Sequence, residues 1–355
     1  MPRHYHIITV KPKEELFSSE NKGIVSVYPH IAKNIGATIR MNWDILADIA
    51  RVKKDDYIFL HSEGLIKGVY KVIDNPFILN KYKSFLNGPN IVIKKWEKEE
   101  SKIKKYLKSS DACWMIPFIP VKGLLFNPMK MEYIFESMAR GEIKSLPPRL
   151  RYEDKNKTVK GLIENDFDII VELLYNFSQR TSAKLIKHHY PMKKIYIQFD
   201  YFTENGYEKN LEAIIIDRIR EKKMSIKGIN FSNLKILNTV PLGYLKMADL
   251  LTWDSFNKKP INPWIWELKR DIIKNYNQLI EEIRKLEKRA KFVNNFLANT
   301  YKITGVILAK DFNERVLDNF KNIIVPVGFL NEVLLIKYNV LSRGKLEFRL
   351  VTKKT

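Results

Sequence analysis

Two stretches in the second half of the chain carry the side chains best suited to chemistry on a phosphate. The first reads Gly243-Tyr-Leu-Lys-Met-Ala-Asp249-Leu-Leu and the second Trp264-Ile-Trp-Glu267-Leu-Lys269. Side chains two apart in an extended strand share a face, so Glu267 and Lys269 project together while Leu268 points the other way. That puts a carboxylate beside an ammonium at the end of a strand that is otherwise apolar. If Asp249 on the neighbouring strand faces the same way, two carboxylates and one lysine converge. Two carboxylates are hard oxygen donors of the kind Mg2+ takes, with water and phosphate filling its other positions. Such an ion polarises the phosphate and makes a bound water more acidic, and Lys269 could orient or deprotonate that water.

Glu-x-Lys alone carries little weight in a chain with 29% charged residues, where Glu20-Asn21-Lys22 and Glu100-Ser101-Lys102 share the spacing. The alternative is an edge strand that simply exposes Glu267 and Lys269; Trp264, Ile265 and Trp266 argue against it. Asp254 rivals Asp249, but its position before a polar loop reads as a turn. Glu212 is either part of the site or an ordinary helix-surface residue. The elements that must position these groups are a helix over Lys209–Lys223, strands over Phe231–Val240, Gly243–Trp253 and Trp264–Leu268, and a long helix from about Asp271 to Ala298. In that helix Ile272, Tyr276, Leu279, Ile280, Ile283, Leu286 and Val293 recur in the three-four rhythm. Short apolar strands follow at Ile303–Ala309, Ile323–Val327 and Val333–Tyr338.

The first half is patterned differently. His4–Val10 and Gly23–Tyr28 read as strands, Trp43–Arg51 as a helix, and Tyr57–His61 with Leu65–Val72 as a hairpin around Ser62-Glu63-Gly64. Trp114–Leu125 is strand-like, Pro128–Arg140 helix-like, and Ile163–Leu174 a further helix. The basic stretch Ser178–Met192 marks the domain boundary, so the expected organisation is a domain over 1–178, a linker over 179–193 and a second domain over 194–355, opened by a strand at Lys194–Asp200.

Length and charge agree with this division. At roughly 150 residues per domain, the 355 residues make about two domains, and 62 Lys and Arg against 40 Asp and Glu leave a net charge of +22, which calls for a polyanionic partner. Phosphate contacts would come from the run Lys94–Lys108 and from Lys274, Arg284, Lys285, Lys288 and Arg289. Several of these cations lie three or four residues from Glu281 or Glu287, so part of the set is a solvated face. One cysteine, Cys113, excludes an internal disulfide and a thiolate zinc site, and the six histidines show no metal-ligand spacing. No segment approaches the ~18 apolar residues of a membrane span, and the N-terminus has a strand pattern where a signal peptide would be basic and then apolar; a cytoplasmic protein is expected. Abundant Lys and Ile with almost no Cys is a bias shared with thermophile proteins.

The Gly243-to-Asp249 stretch followed by three apolar residues and Glu267-Leu-Lys269 resembles the PD-(D/E)xK nuclease superfamily, in its RecB and archaeal-resolvase branch, over about 194–340. The resemblance implies a restriction-endonuclease-like core, a mixed β-sheet flanked by helices, that hydrolyses phosphodiester bonds. Mg2+, for which Mn2+ would substitute, would be held by Asp249, Glu267 and the Leu268 carbonyl, with Lys269, Glu212 on the preceding helix and Gln278 on the following one as catalytic residues. Ala248 stands where a proline commonly precedes the aspartate, and no tyrosine follows Gln278 at the RecB-type spacing.

In the first half, Asp56-Tyr-Ile-Phe-Leu-His-Ser-Glu-Gly64, Ile66-Lys-Gly68-Val-Tyr-Lys-Val-Ile-Asp-Asn-Pro-Phe77 and Gly161-Leu-Ile-Glu-Asn-Asp-Phe-Asp168 resemble the EVE and YTH-like members of the PUA-like superfamily, over about 1–178. That resemblance implies a β-barrel with helices that holds a modified or flipped base in an aromatic pocket. Tyr28, Trp43 and Trp114 are the candidate cage, and Ser62 or His61 the edge partner; each aromatic could equally be core. The expectation for the whole chain is a two-domain α+β, Mg2+-dependent endonuclease directed to modified DNA, acting in restriction or defence. Cutting both strands would make it a homodimer. The alternatives are a non-catalytic nucleic-acid-binding protein with a degenerate nuclease-like half, and an RNase or repair nuclease acting on modified RNA or DNA.

Overall fold

Tyr5 and Ile7 alternate with His6 and Ile8, and in the computed structural model of the chain they form a strand inside a nine-stranded sheet. The structure describes residues 3–10, 23–27, 32–33, 39–40, 43–79, 114–146, 159–182, 194–195, 207–231, 233–242, 247–256, 259–297, 303–320 and 329–354. Two units divide the chain between Phe199 and Asp200.

The first unit runs β1 (Tyr5–Thr9), β2 (Ile24–Val27), β3 (Ala32–Lys33), β4 (Ile39–Arg40), α1 (Trp43–Arg51), β5 (Tyr57–Ser62), β6 (Leu65–Val72), β7 (Phe77–Leu79), β8 (Trp114–Pro120), β9 (Met129–Lys130), α2 (Glu132–Ala139), β10 (Val159–Leu162), α3 (Glu164–Phe177) and β11 (Lys194–Ile195). Its sheet is ordered β10-β1-β5-β6-β8-β7-β11, with β2 also on β8 and β9 also on β6, while β3 and β4 pair apart. A barrel was expected; among the described residues the ladder starts at β10 and ends at β11 without a closing pair. The parallel pair β1–β5 needs a crossover connection, and α1 lies within it. The hairpin β5–β6 turns on Glu63 and Gly64, both with positive φ (45° and 76°), the geometry that matches the twist of the flanking strands.

Helix α3 packs on this sheet. Phe167, Ile170, Leu173 and Leu174 fall on a single face of α3, and the Phe167 ring lies 4.4 Å from Tyr5 and 5.1 Å from Phe59. The first turn of α3 is tied down by Asp166, which accepts the backbone N–H groups of Ser145 (2.6 Å) and Lys144 (2.9 Å) and the Ser145 hydroxyl. Lys194–Ile195 pairs antiparallel with β7, so this segment completes the first unit, whereas the sequence pattern had it opening the second.

The second unit runs α4 (Tyr207–Arg220), β12 (Lys235–Pro241), β13 (Met247–Phe256), β14 (Lys259–Leu268), α5 (Tyr276–Phe296), β15 (Ile303–Ala309), α6 (Glu314–Phe320), β16 (Leu330–Val340) and β17 (Leu346–Lys354). The six strands lie in sequence order; β12, β13 and β14 are antiparallel, β14–β15 and β15–β16 parallel, and β17 antiparallel. Helices α5 and α6 are the two crossovers that the parallel pairs require. Buried Leu279, Ile283, Leu286, Ala290 and Val293 give α5 its apolar stripe. The helix comes close to the sheet at Gly305 of β15, where a Cβ would stand 3.0 Å from the Leu286 side chain. The fully buried Trp266 donates its indole N–H to Thr252 at 3.0 Å across the β13–β14 ladder. Asp254 lies inside β13 at a register shift and meets the Asn262 side chain at 3.4 Å, so it is not the turn residue expected. The strand expected at Ile323–Val327 lies outside the described residues. No helix among them is long and apolar enough to cross a membrane.

Gly68 supplies a test of the first unit. Its φ is +25°, and an added Cβ would meet the Leu124 carbonyl oxygen at 3.1 Å, whereas at Gly64 (φ +76°) the space is open. Gly68→Ala should destabilise the unit by roughly 2–4 kcal/mol and Gly64→Ala by about 1 kcal/mol. Urea midpoints that rank the two variants the other way would refute this account of the β5–β6 hairpin.

Candidate active site

Strand register brings the two carboxylates together. Leu250 pairs with Trp266 and Leu251 with Ile265, and one further step along the same ladder sets Asp249 opposite Glu267, on one face of the sheet. The Asp249 carboxylate accepts the Leu268 N–H at 2.8 Å, which pins it to the end of β14. Lys269 continues the ladder, donating its backbone N–H to Leu308 at 2.7 Å, and its ammonium lies 3.5 Å from Glu282 of α5. Glu282 also accepts from Lys285 at 2.9 Å. Glu267 is 3% exposed, and its Oε1 lies directly against Nη1 of Arg289, itself 8% exposed.

Helix α4 adds two more carboxylates. Glu212, 1% exposed, accepts from Lys209 at 2.6 Å, and Lys209 also donates to the Thr239 hydroxyl at 3.1 Å. Burial pushes Glu212 up to about 7 and the Asp249 charge pushes the same way, while Lys209 and the Asn238 side chain pull against them. Burial also raises Glu208, with Asp249 and Glu282 adding to the shift and Lys269 and Lys209 opposing it. Burial lowers Arg289, opposed by Asp249. Groups on α4, β13, β14 and α5 therefore feel one another's charge. On β12, between the pairs Asn238–Leu250 and Val240–Ala248 that flank Asp249, stands Thr239, a β-branched residue at φ +52°. Such a conformation costs of order 1–3 kcal/mol and collects at functional sites.

Asp249, Glu267, Lys269 and Glu212 thus share one cluster. Gln278 does not enter it through any hydrogen bond described. Its backbone N–H donates to the Asn275 side chain at 2.9 Å, and its side-chain oxygen accepts the Lys274 N–H at 3.2 Å, a reciprocal cap at the start of α5. The residues of α5 that do reach the cluster are Glu282 and Arg289. Arg289, expected among the phosphate contacts, is buried, and Lys285 is paired with Glu281 and Glu282; Lys274, Arg284 and Lys288 are exposed. Sequence reasoning missed Glu208, Lys209, Glu282 and the burial of Arg289. The available signal was position: Glu282 and Arg289 fall within the Leu279-to-Val293 stripe of α5.

In the first unit Ser62 is fully buried at the end of β5, and burial lowers His61 to about 4 with Lys160 adding to the shift, so His61 is neutral at physiological pH. Trp43 begins α1, and Trp114 begins β8 between Val27 and Ile78. The side chains of Trp43 and Trp114, like Tyr28 and the run Lys94–Lys108, lie outside the described residues.

Among the described residues no three His, Cys, Asp or Glu side chains are gathered as a metal-ligand set. Mg2+, however, is commonly held by one or two carboxylates with water and substrate phosphate in its other positions. Asp249 and Glu267 supply that number from facing positions, so the residues present fit such an ion in donor type, with Glu267 engaged by Arg289.

No protein family matches the sequence, and no curated protein does. Solved structures similar to the chain include three that match it over about half its length. A complex of human THYN1 with 5-methylcytosine-containing DNA has 13% identity and a TM-score of 0.27, covering 48% of this chain and 96% of that one. The YTH domain of Toxoplasma CPSF4, without ligand, has 11% identity and a TM-score of 0.27, covering 50% and 90%. A mutant of the ASCH protein of Zymomonas mobilis has 11% identity and a TM-score of 0.24, covering 49% and 99%.

The raised value of Glu212 sets a pH dependence. Between about pH 4.5 and about pH 7 the folded protein keeps a proton there that the unfolded chain has released. This group's contribution to stability therefore falls as pH rises through that window and stays low above it. Glu212→Gln should remove the slope and leave the variant more stable at pH 8, by on the order of 3 kcal/mol. Urea unfolding at pH 5 and pH 8 measures this, and identical slopes for the variant and the natural chain would contradict it.

Proposed function

We propose that the protein is a divalent-metal-dependent endonuclease that hydrolyses DNA phosphodiester bonds in its second unit and reads a base in its first, directing it to modified DNA. The observation that carries this reading is the register that sets Asp249 opposite Glu267, with Lys269 at the same strand end. Further support comes from element order: helix α4, antiparallel β12, β13 and β14, crossover helix α5 and parallel β15 follow the succession that the resemblance to PD-(D/E)xK nucleases implies. The charge of +22 draws a polyanion to the surface. Base reading rests on the resemblance of the β5–β6 hairpin to EVE and YTH-like domains.

Asp249, Glu267 and the Leu268 carbonyl would hold Mg2+. When bound, the ion supplies positive charge against the phosphate and makes a coordinated water more acidic. The chain's own residues do the rest. Lys269, steadied by Glu282, presents an ammonium where the attacking water and the phosphate meet. Glu212, with a value near 7, is able to take up a proton at neutral pH. Exposed Lys274, Arg284 and Lys288 on and beside α5 contact neighbouring phosphates. Cutting both strands requires two such centres, which a homodimer provides.

A second reading, a nucleic-acid-binding protein whose second unit no longer cleaves, is favoured by one observation, the engagement of Glu267 by Arg289. Purified protein with Mg2+ on methylated and unmethylated duplexes separates the two. The natural chain should cleave, and Asp249→Asn and Lys269→Ala should each lose about 100-fold or more in rate while still binding DNA. Equal cleavage by all three proteins would sink the site assignment, and salt-dependent binding by the natural chain without cleavage would support the second reading.

A further inference from the structure

Arg289 occupies a position that the rest of its helix makes unusual. It lies on the buried stripe of α5, with Glu282 and Leu286 seven and three residues before it, and Leu286 seats the helix against Gly305. Gly305 is the β15 partner of Ile265, two residues before Glu267 on the same face of β14. One turn further along the helix, the Arg289 guanidinium lies against the Glu267 carboxylate. Of Arg289's nitrogens, Nε and Nη1 are sealed from solvent and have no hydrogen-bond partner among the described residues. The only interactions described for this cation are therefore with carboxylates of the site, by contact with Glu267 and through the field of Asp249.

A buried carboxylate facing a second one is costly without a positive charge beside it. We propose that Arg289 is that charge: a built-in countercation that holds Glu267 in the metal-free protein and that a divalent ion must displace. The proposal rests on the metal-dependent reading given above. Arg289 is a positioning residue here. It sets how tightly the site binds the ion, and it keeps the strand ends compensated while the site awaits substrate, whose phosphate supplies further oxygen ligands.

The test is Mn2+ binding, followed by calorimetry and by thermal melting, on the full chain and on Arg289→Met, which keeps much of the side-chain bulk and removes the charge. Metal-free Arg289→Met should melt below the natural chain, recover on adding Mn2+, and bind Mn2+ at least about 10-fold more tightly. Should Arg289→Met fail to fold without metal, the double variant Glu267→Gln/Arg289→Met removes both charges; it should fold and bind Mn2+ no more tightly than the natural chain. Equal affinity in the natural chain and Arg289→Met, or a double variant that binds as tightly as Arg289→Met is expected to, would overturn the countercation role and leave the metal-dependent reading standing. Absence of Mn2+ binding in every form would overturn both.

Discussion

The antiparallel ladder between β13 and β14 is the constraint on which the second unit's chemistry depends. Side chains alternate faces along each strand, so a slip of one residue would turn Asp249 away from Glu267 and send every apolar side chain of the strand to the other face. Leu250, Leu251, Ile265 and Trp266 are fully buried, and the indole of Trp266 is bonded to Thr252 across the two strands. Apolar burial therefore fixes a polar geometry. The same core that excludes water from the sheet determines which two carboxylates face each other at its end.

That arrangement concentrates charge in a poorly solvated place. Five carboxylates, Glu208, Glu212, Asp249, Glu267 and Glu282, stand among four cations, Lys209, Lys269, Lys285 and Arg289. The excess acid is absorbed where burial is deepest, at Glu212, whose raised value lets it carry a proton close to neutral pH. Charge compensation of this kind stabilises little by itself, since desolvation offsets most of the attraction. Its consequence lies in function, because groups balanced near neutrality respond to small changes of charge, whether a proton, a metal ion or a phosphate. The left-handed Thr239 beside Asp249 is the backbone counterpart: local strain tolerated within a sheet that surrounding packing holds in place.

Much of this was legible in the sequence, because periodicity reports which face is buried. The three-four rhythm marked α5, and the apolar run before Glu267 marked β14 and placed Glu267 and Lys269 on one side. The basic stretch Ser178–Met192 placed the chain's division a few residues short, since Lys194–Ile195 is claimed by pairing with β7, a long-range contact that no local pattern records. Asp254 read as a turn because polar residues follow it, yet β13 continues past it through a register shift. Charged residues were the weakest part of the reading. Composition treats Arg289 and Lys288 alike, but one helical step separates a buried cation from a solvated one, and Gln278 is used to cap its own helix. The ion pair of Glu282 with Lys269 depends on where α5 crosses the sheet, which Gly305 helps to set.

The central claim is that Asp249 and Glu267 form one centre able to hold a metal against a phosphate. A crystal structure of the full chain grown with Mn2+ and a DNA duplex tests it most directly, through the anomalous signal of the ion. The account predicts one Mn2+ bonded to Asp249 and Glu267, with a phosphate oxygen in its remaining coordination and the Arg289 guanidinium withdrawn from Glu267. Carboxylates on opposite faces of the sheet, or Arg289 still against Glu267 with Mn2+ bound elsewhere, would contradict it.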